Sequence, residues 1–377
     1  MPKKQINIIA FDIPYPPDYG GVIDIYFKIK AFHESGTKIH LHCYEYCRKR
    51  TDELNKVCES VSYYKRQVSK TLLLNSKPYI VVSRTTEELI KNLQKNNFPI
   101  FFEGLHCCYY LDDHRIKDRF RVVRSHNIEH NYYNNLAKVE KDVFRKYYFR
   151  NEARKLKRFE KVLSSANAIA AISQNDFNYF SDKYKGVHLV SAFHPNEKVD
   201  IETGKGDFVL YHGSLEVGEN NEAALFLVNN VFKNTDIPLI IAGNKPSEEL
   251  KLAVKNSKNN IQLKNNISTT EIYELIRKAQ INILPTFQAT GIKLKLLAAL
   301  FSGRHCIANS FMVNNTGLQS LCSVKNTADE MNNEAIRLFK TPFTKEDIQK
   351  REHLLNNSQF SNKKNISSLI EIIFPSN

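Results

Sequence analysis

The sequence predicts an α/β protein built from two Rossmann-like domains that face one central cleft. Short apolar runs alternate with amphipathic helical stretches over most of the chain, the signature of parallel βαβ units with right-handed crossovers. One polar stretch, residues 196–207, holds Gly204 and Gly206 but few apolar side chains, and it divides that rhythm in two. The 377 residues suit two or three domains at roughly 100–200 residues each. The expected domains are 1–195, 196–355 and a terminal helix, 356–377, that packs back on the first.

The elements follow in chain order. Residues 8–11 form an apolar run that ends in a loop rich in Pro and Gly, residues 14–21. A helical pattern through Ile25, Ile29 and Phe32 stops at Gly36, and residues 38–44 read as the next strand. Apolar runs at 79–82, 100–102, 121–123 and 168–172 read as further strands. In the second half, 208–212, 238–242, 261–263 and 281–284 read as strands, and 222–232 and 269–279 as helices. The rhythm continues to about Val324. Ile366, Leu369, Ile370, Ile373 and Phe374 then make an apolar helix face with nothing of its own to cover.

Composition narrows the function. Lys and Arg outnumber Asp and Glu by 54 to 40, so the net charge of +14 favours anionic partners: nucleotides, anionic lipid or nucleic acid. With 42% hydrophobic residues the chain is not disordered. Seven cysteines without zinc spacing read as reduced thiols rather than a disulfide frame or a metal site. The first apolar run is too short for a secretion signal, and no run approaches the roughly 18 residues that span a bilayer. The expectation is a cytoplasmic protein, soluble or peripheral at the inner membrane face.

Ligands of open α/β sheets bind beyond the carboxyl ends of the strands. Gly20-Gly21 opens a helix there, either letting backbone amides approach a ligand or making a tight turn with positive φ. Gly213-Ser214 follows a strand and suits a phosphate or an ordinary turn equally. The run from Leu284 to Leu297 is more specific. Thr290 can cap a helix that Gly291 opens, and Lys293 lies in its first turn, so amides, helix dipole and ammonium converge on one anion. A solvated lysine on an amphipathic helix is the competing reading. Arg124-Ser125-His126-Asn127-Ile128-Glu129-His130 crowds another strand end, with Glu103-Gly104-Leu105-His106 on the same wall. Residues 139–161 mix basic and aromatic side chains, as an anionic membrane surface or a plain solvated helix would require. Nothing beyond charge points to nucleic acid, which is not expected as a partner.

Taken in order, the Gly20-Gly21 loop, the 124–130 segment, Ala171-Ile172-Ser173-Gln174-Asn175-Asp176 and Gly291-Ile292-Lys293-Leu294-Lys295 resemble GT-B glycosyltransferases, specifically the retaining group of glycosyltransferase family 4. The resemblance implies a UDP- or GDP-linked sugar held mainly by the second domain and a glycan or lipid-linked acceptor in the first. It implies no cofactor and no metal. Carried over, Lys293, Lys295, Thr290 and the helix at Gly291 bind the diphosphate, with Gly213 and Ser214 lining the pocket. His126 faces the donor sugar, and Gly20 and Gly21 sit under phosphates and acceptor. His126 and Lys293 are the expected catalytic pair. Many members carry glutamates where this sequence has Thr290 and Ala298, which weakens the ribose-binding analogy. The expected function is retaining hexosyl transfer to a cell-envelope polysaccharide, glycolipid or glycoprotein precursor. The alternatives are a non-catalytic scaffold on this fold or a nucleotide-sugar epimerase.

Overall fold

A computed structural model describes residues 4–140, 142–287, 294–356 and 359–375. The chain forms two compact units, residues 1–195 together with 362–377, and residues 196–361.

The first unit is a seven-stranded parallel sheet. Its strands are β1 (Gln5–Ala10), β2 (Lys38–Glu45), β3 (Ser60–Lys65), β4 (Ile100–Glu103), β5 (Arg121–Ser125), β6 (Ala168–Ala171) and β7 (Val187–Leu189), in the order β3-β2-β1-β4-β5-β6-β7. Ile8 pairs with Leu41 on one side and Phe101 on the other. Helices on both faces explain why β4 and β6 are buried at every position and lack alternation. The second unit repeats the plan with β8 (Val209–His212), β9 (Leu239–Ala242), β10 (Ile261–Lys264), β11 (Ile281–Leu284), β12 (His305–Ala308) and β13 (Ser323–Val324), ordered β10-β9-β8-β11-β12-β13. In each sheet the order reverses beside the unit's first strand, between β1 and β4 and between β8 and β11. Those two places are the topological switch points where doubly wound sheets take ligands.

Several local expectations change. Residues 79–82 are one helical turn, Tyr79–Val82, rather than a strand. Pro78 sets its start, the Tyr79 amide donates to Glu152 at 2.6 Å, and a four-residue apolar run does not by itself distinguish the two states. The helix expected over 222–232 begins earlier, as Gly218–Phe226, and ends in a π-helical turn, Leu227–Val231. Neither Gly20 nor Gly21 has a positive φ; both lie in the first turn of helix Gly20–Glu34. Gly36, which ends that helix, does adopt φ 82°.

The last boundary also moves. Leu355 and Phe360 are buried in a core cluster of the second unit, so the chain stays there to Ser361 rather than leaving at 355. Helix Asn362–Ile373 then belongs to the first unit, where Ile366, Leu369 and Ile373 join the core. Asn362 anchors it by donating to the His194 carbonyl at 2.7 Å and accepting from the His194 amide at 3.2 Å.

Candidate active site

At the first switch point the sequence builds a buried charge cluster. Asp24 and Lys28 stand one turn apart on helix Gly20–Glu34, on a face otherwise set by Ile25 and Ile29. Both are buried, as are Glu103 at the end of β4 and Arg124 on β5. Lys28 Nζ lies 2.8 Å from Asp24 Oδ2 and 2.9 Å from Glu103 Oε1. Arg124 grips Asp24 with Nη2 at 2.9 Å and Nε at 3.1 Å, and donates to the Val190 and Ser191 carbonyls. The Phe193 amide donates to Asp24 Oδ1 at 2.8 Å. Burial alone would raise the Asp24 carboxyl; Arg124 and Lys28 outweigh it and hold Asp24 well below the usual carboxylate range. Two acids face two bases, so the buried cluster closes electrically.

His126 caps this cluster. Its Nε2 is 3.1 Å from Glu103 Oε2 and its Nδ1 3.8 Å from Asp24 Oδ2. Ligand atoms of Asp24, Glu103 and His126 fall within 4.8 Å of one another, which is close enough to hold an ion. The Lys28 ammonium and the Arg124 guanidinium already provide the positive charge there. The Phe11 ring meets His126 and His106 edge-on at 5.7 and 5.3 Å.

The rest of the 124–130 segment divides. Glu129 opens helix Glu129–Val139, whose N-terminus has no side-chain cap, and lies 3.6 Å from His106 Nε2. Asp176 is pushed up to about 6, by burial first and by Glu129 next, against its hydrogen bond from Ser173 at 2.5 Å. His130 turns elsewhere, with Nδ1 3.2 Å from Glu160. Gly21 has a packing role, since a Cβ there would stand 2.7 Å from Phe11 Cζ, whereas one at Gly20 would meet nothing.

The second switch point gathers His212, Gly213 and Ser214 after β8, the start of helix Gly218–Phe226, Thr286 beyond β11, and Lys295 in the first turn of helix Leu294–Ser302. Lys295 Nζ donates to Asn220 Oδ1 at 2.7 Å and lies 5.2 Å from the Tyr211 ring centre. Tyr211 donates to the Asn220 carbonyl at 2.9 Å. His212 is buried with no hydrogen-bond partner on Nε2 among the described residues, and burial, then Lys295, push its pKa down to about 3. Thr286 donates to Glu219 and exchanges backbone hydrogen bonds with the Asn309 side chain. Gly243 is required by packing, since a Cβ on it would sit 1.9 Å from the Gly213 carbonyl oxygen, whereas one on Gly213 would sit 3.2 Å from the Asn220 side chain, a tight contact that a small shift relieves. The Ser214 carbonyl accepts from Asn220 at 2.9 Å.

Thr290, Gly291 and Lys293 lie outside the described residues. Ala298 is buried in an apolar cluster with Leu210, Ile240 and Ile276. A carboxylate at 298 would be desolvated among these side chains. The sequence reading passed over Asp24, Lys28, His212, Asn220 and Glu219. The first two carry a usable signal, opposite charges four residues apart within an apolar helix face. His212 ends a strand, and only its burial marks it.

Residues 206–341 match the family described as Glycosyl transferases group 1. The chain is 26% identical to an uncharacterized 44.6 kDa protein in the cps region of Klebsiella pneumoniae, over 98% of this chain and 94% of that one. Among solved structures, a glycosyltransferase from Rickettsia africae aligns with a TM-score of 0.65 at 13% identity, covering 100% of both chains. A TarM mutant of S. aureus in complex with fondaparinux, alpha-GlcNAc-glycerol and UDP aligns with a TM-score of 0.65 at 11% identity, covering 98% of this chain and 100% of that one. Anabaena HepE in complex with UDP and glucose gives 0.60 at 11% identity, over 98% and 96%. At such identities the structural likeness is one of fold. The chain therefore has the GT-B fold of the glycosyltransferases, and its second unit carries the group 1 glycosyl transferase match.

Proposed function

We propose that the protein is a retaining glycosyltransferase that moves a hexosyl group from a UDP- or GDP-sugar to a glycan or lipid-linked precursor of a cell-surface polysaccharide. The observation that carries this reading is Lys295, oriented by Asn220 and Tyr211 in the first turn of a helix at the second switch point. A helix start and an ammonium together attract an anion. A nucleoside diphosphate answers both. The family match over 206–341 and the cps-region relative support the donor class and the polysaccharide setting.

In this mechanism the bond from the sugar's anomeric carbon to the diphosphate oxygen breaks, and a bond to the acceptor hydroxyl forms on the same face. The hydroxyl proton leaves on the departing phosphate. Lys295, joined by Lys293 if that residue lies as the resemblance implies, stabilises the charge that grows on the leaving group, so the transfer runs without a metal. His212 stays uncharged beside Lys295 and offers its free Nε2 to the donor. In the first unit, Glu103 and Asp24 fix the orientation of the His126 ring. The reaction takes place at the cytoplasmic face of the membrane, where a lipid-linked acceptor meets soluble donor.

The apolar surroundings of Ala298 favour a second reading, a binding protein on this fold that transfers nothing. One experiment separates them. The purified protein is screened by thermal shift against UDP, GDP, their sugars and adenine nucleotides, and nucleoside diphosphate release is then followed with the ligand that shifts. A ligand at a hundred times its Kd stabilises by about 2.7 kcal/mol, which is readily seen. Release, with product of the same anomeric configuration by proton NMR, is the expected result. A shift without release supports the binding protein, release of an isomerised free donor supports an epimerase, and no shift with any nucleotide overturns both donor assignments.

A further inference from the structure

The function proposed above uses none of helix Val143–Phe159, and the face this helix turns to solvent has two parts. Its inner face, with Ala153 and Leu156, is buried in the first unit's core, which holds the helix in place. At its start Val143, Phe144 and Tyr147 are 75%, 86% and 68% exposed, an unusual location for three large apolar side chains within five residues. Toward its end Arg154, Lys157 and Arg158, and Lys161 in the following turn, recur at spacings of three, four and seven, one face of a helix. With Lys183 they line an open cavity of about 480 Å³. The cavity's one acid, Glu160, is already held by Tyr179 at 2.8 Å, His130 at 3.2 Å and Lys183 at 3.5 Å. The other four cations make no side-chain hydrogen bond or ion pair among the described residues.

A second element extends the same surface. Lys155 Nζ donates to the Leu73 carbonyl at 2.8 Å, tying the turn Lys70–Leu74 to the helix, and Leu74 next to it is 90% exposed. The segment brings Lys70 and Lys77 as well, with Lys77 over the Phe159 ring at 5.8 Å. Apolar side chains projecting into solvent beside uncompensated cations are what the interface of an anionic bilayer accommodates: rings and Leu enter the headgroup boundary while Lys and Arg meet phosphates. A duplex needs the charge but gives no reason for these side chains to be bare, and a single strand could stack on Phe144 but has no use for the aliphatic Leu74 and Val143.

We propose that this face docks on a bilayer containing anionic phospholipid, with Phe144, Tyr147 and Leu74 inserted and a lipid phosphate received in the cavity between Arg154, Lys157, Arg158, Lys161 and Lys183. No helix among the described residues is long and apolar enough to cross a membrane, so the attachment is interfacial.

The test is co-sedimentation of the full chain with vesicles of phosphatidylcholine alone and of phosphatidylcholine with about one third phosphatidylglycerol. It reads binding rather than sugar transfer, so its failure is separate from failure of the proposed function. Binding is expected on the anionic vesicles alone. The double variants Arg154→Glu/Arg158→Glu and Phe144→Ser/Tyr147→Ser should each weaken it at least roughly tenfold. All these side chains are exposed, and an unchanged thermal transition checks that the variants fold. Two further arms identify the source of the phosphate: inorganic phosphate added to the anionic vesicles, and duplex DNA in place of vesicles. Equal binding to both vesicle types, full displacement by millimolar phosphate, indifference to the aromatic double variant, or tighter binding to DNA than to vesicles would each overturn the proposal.

Discussion

Replacing Asp24 by Asn probes the physical basis of the first unit. In the folded protein the two carboxylate oxygens receive Arg124 Nε and Nη2, Lys28 Nζ and the Phe193 amide, all at 2.8 to 3.1 Å and all out of contact with water. Asparagine supplies one acceptor oxygen and turns an NH2 group toward two cations. Lys28 keeps Glu103 as a partner, whereas Arg124 loses its only anion among the described contacts. Removing one member of a buried ion network typically costs 3–5 kcal/mol, because the charge left behind stays desolvated. We therefore expect Asp24→Asn to destabilise the first unit by about 3–5 kcal/mol, a large share of the roughly 5–15 kcal/mol of a whole domain. Urea unfolding followed by hydrogen exchange and mass spectrometry reads the two units separately. Peptides from β1, β4 and β5 should lose protection, while those from β8 and β11 should not change. A loss under about 1 kcal/mol in the first unit would show that water or a rearranged Arg124 compensates, and would refute the closed-cluster account. The same group sets an acid limit. Its folded pKa lies below its unfolded one, so its contribution is complete above about pH 4 and is lost as pH falls further.

Asp176 should behave in the opposite sense. Its folded pKa of about 6 exceeds the unfolded value, so it contributes a loss of up to about 3 kcal/mol as pH rises from roughly 4 to 6, and Asp176→Asn should flatten that slope in a pH series of urea midpoints. Lys295→Ala should lower turnover at least roughly tenfold, and Lys293→Ala likewise; turnover unchanged in either would remove that lysine from the leaving-group assignment. Gly21→Ala places a methyl against Phe11 and should cost about 1–3 kcal/mol by thermal melting, whereas Gly20→Ala, which meets nothing, should be neutral or slightly stabilising. His212→Phe keeps bulk but removes Nε2; a weakened nucleotide shift with unchanged melting of the free protein is the expected pattern, and equal nucleotide affinity would exclude His212 from the donor site.

The α/β class was legible from the sequence, because alternation of short apolar runs with 3.6-residue periodicity is a local property of the chain. Strands such as 281–284 could be read to the residue, each being a short buried run between a helix end and a turn. The charge cluster was half legible. Arg124, His126 and Glu103 stood out as polar residues at strand ends, yet their partners Asp24 and Lys28 are 75 to 100 residues away in sequence and meet them only when β1, β4 and β5 lie side by side. Residues 124–130 looked like one functional wall; the fold sends Arg124 and His126 to Asp24 and Glu103, Glu129 to His106, and His130 to Glu160, because strand and helix point successive side chains in different directions. The glycines show the same division. Their positions at strand-to-helix turns could be read in sequence, but that Gly21 makes room for the Phe11 ring, and Gly243 for the Gly213 carbonyl, is decided by how closely distant parts of the chain approach. Sequence by itself determined most of the strands and helices, since those depend largely on neighbours within a few residues, but it placed a strand at 79–82, where the chain makes a helical turn, and passed over β3 and β7. Which charges are buried, which are paired, and which stay bare on helix Val143–Phe159 was decided only by tertiary structure, because desolvation and Coulomb energies depend on distances through space rather than along the chain.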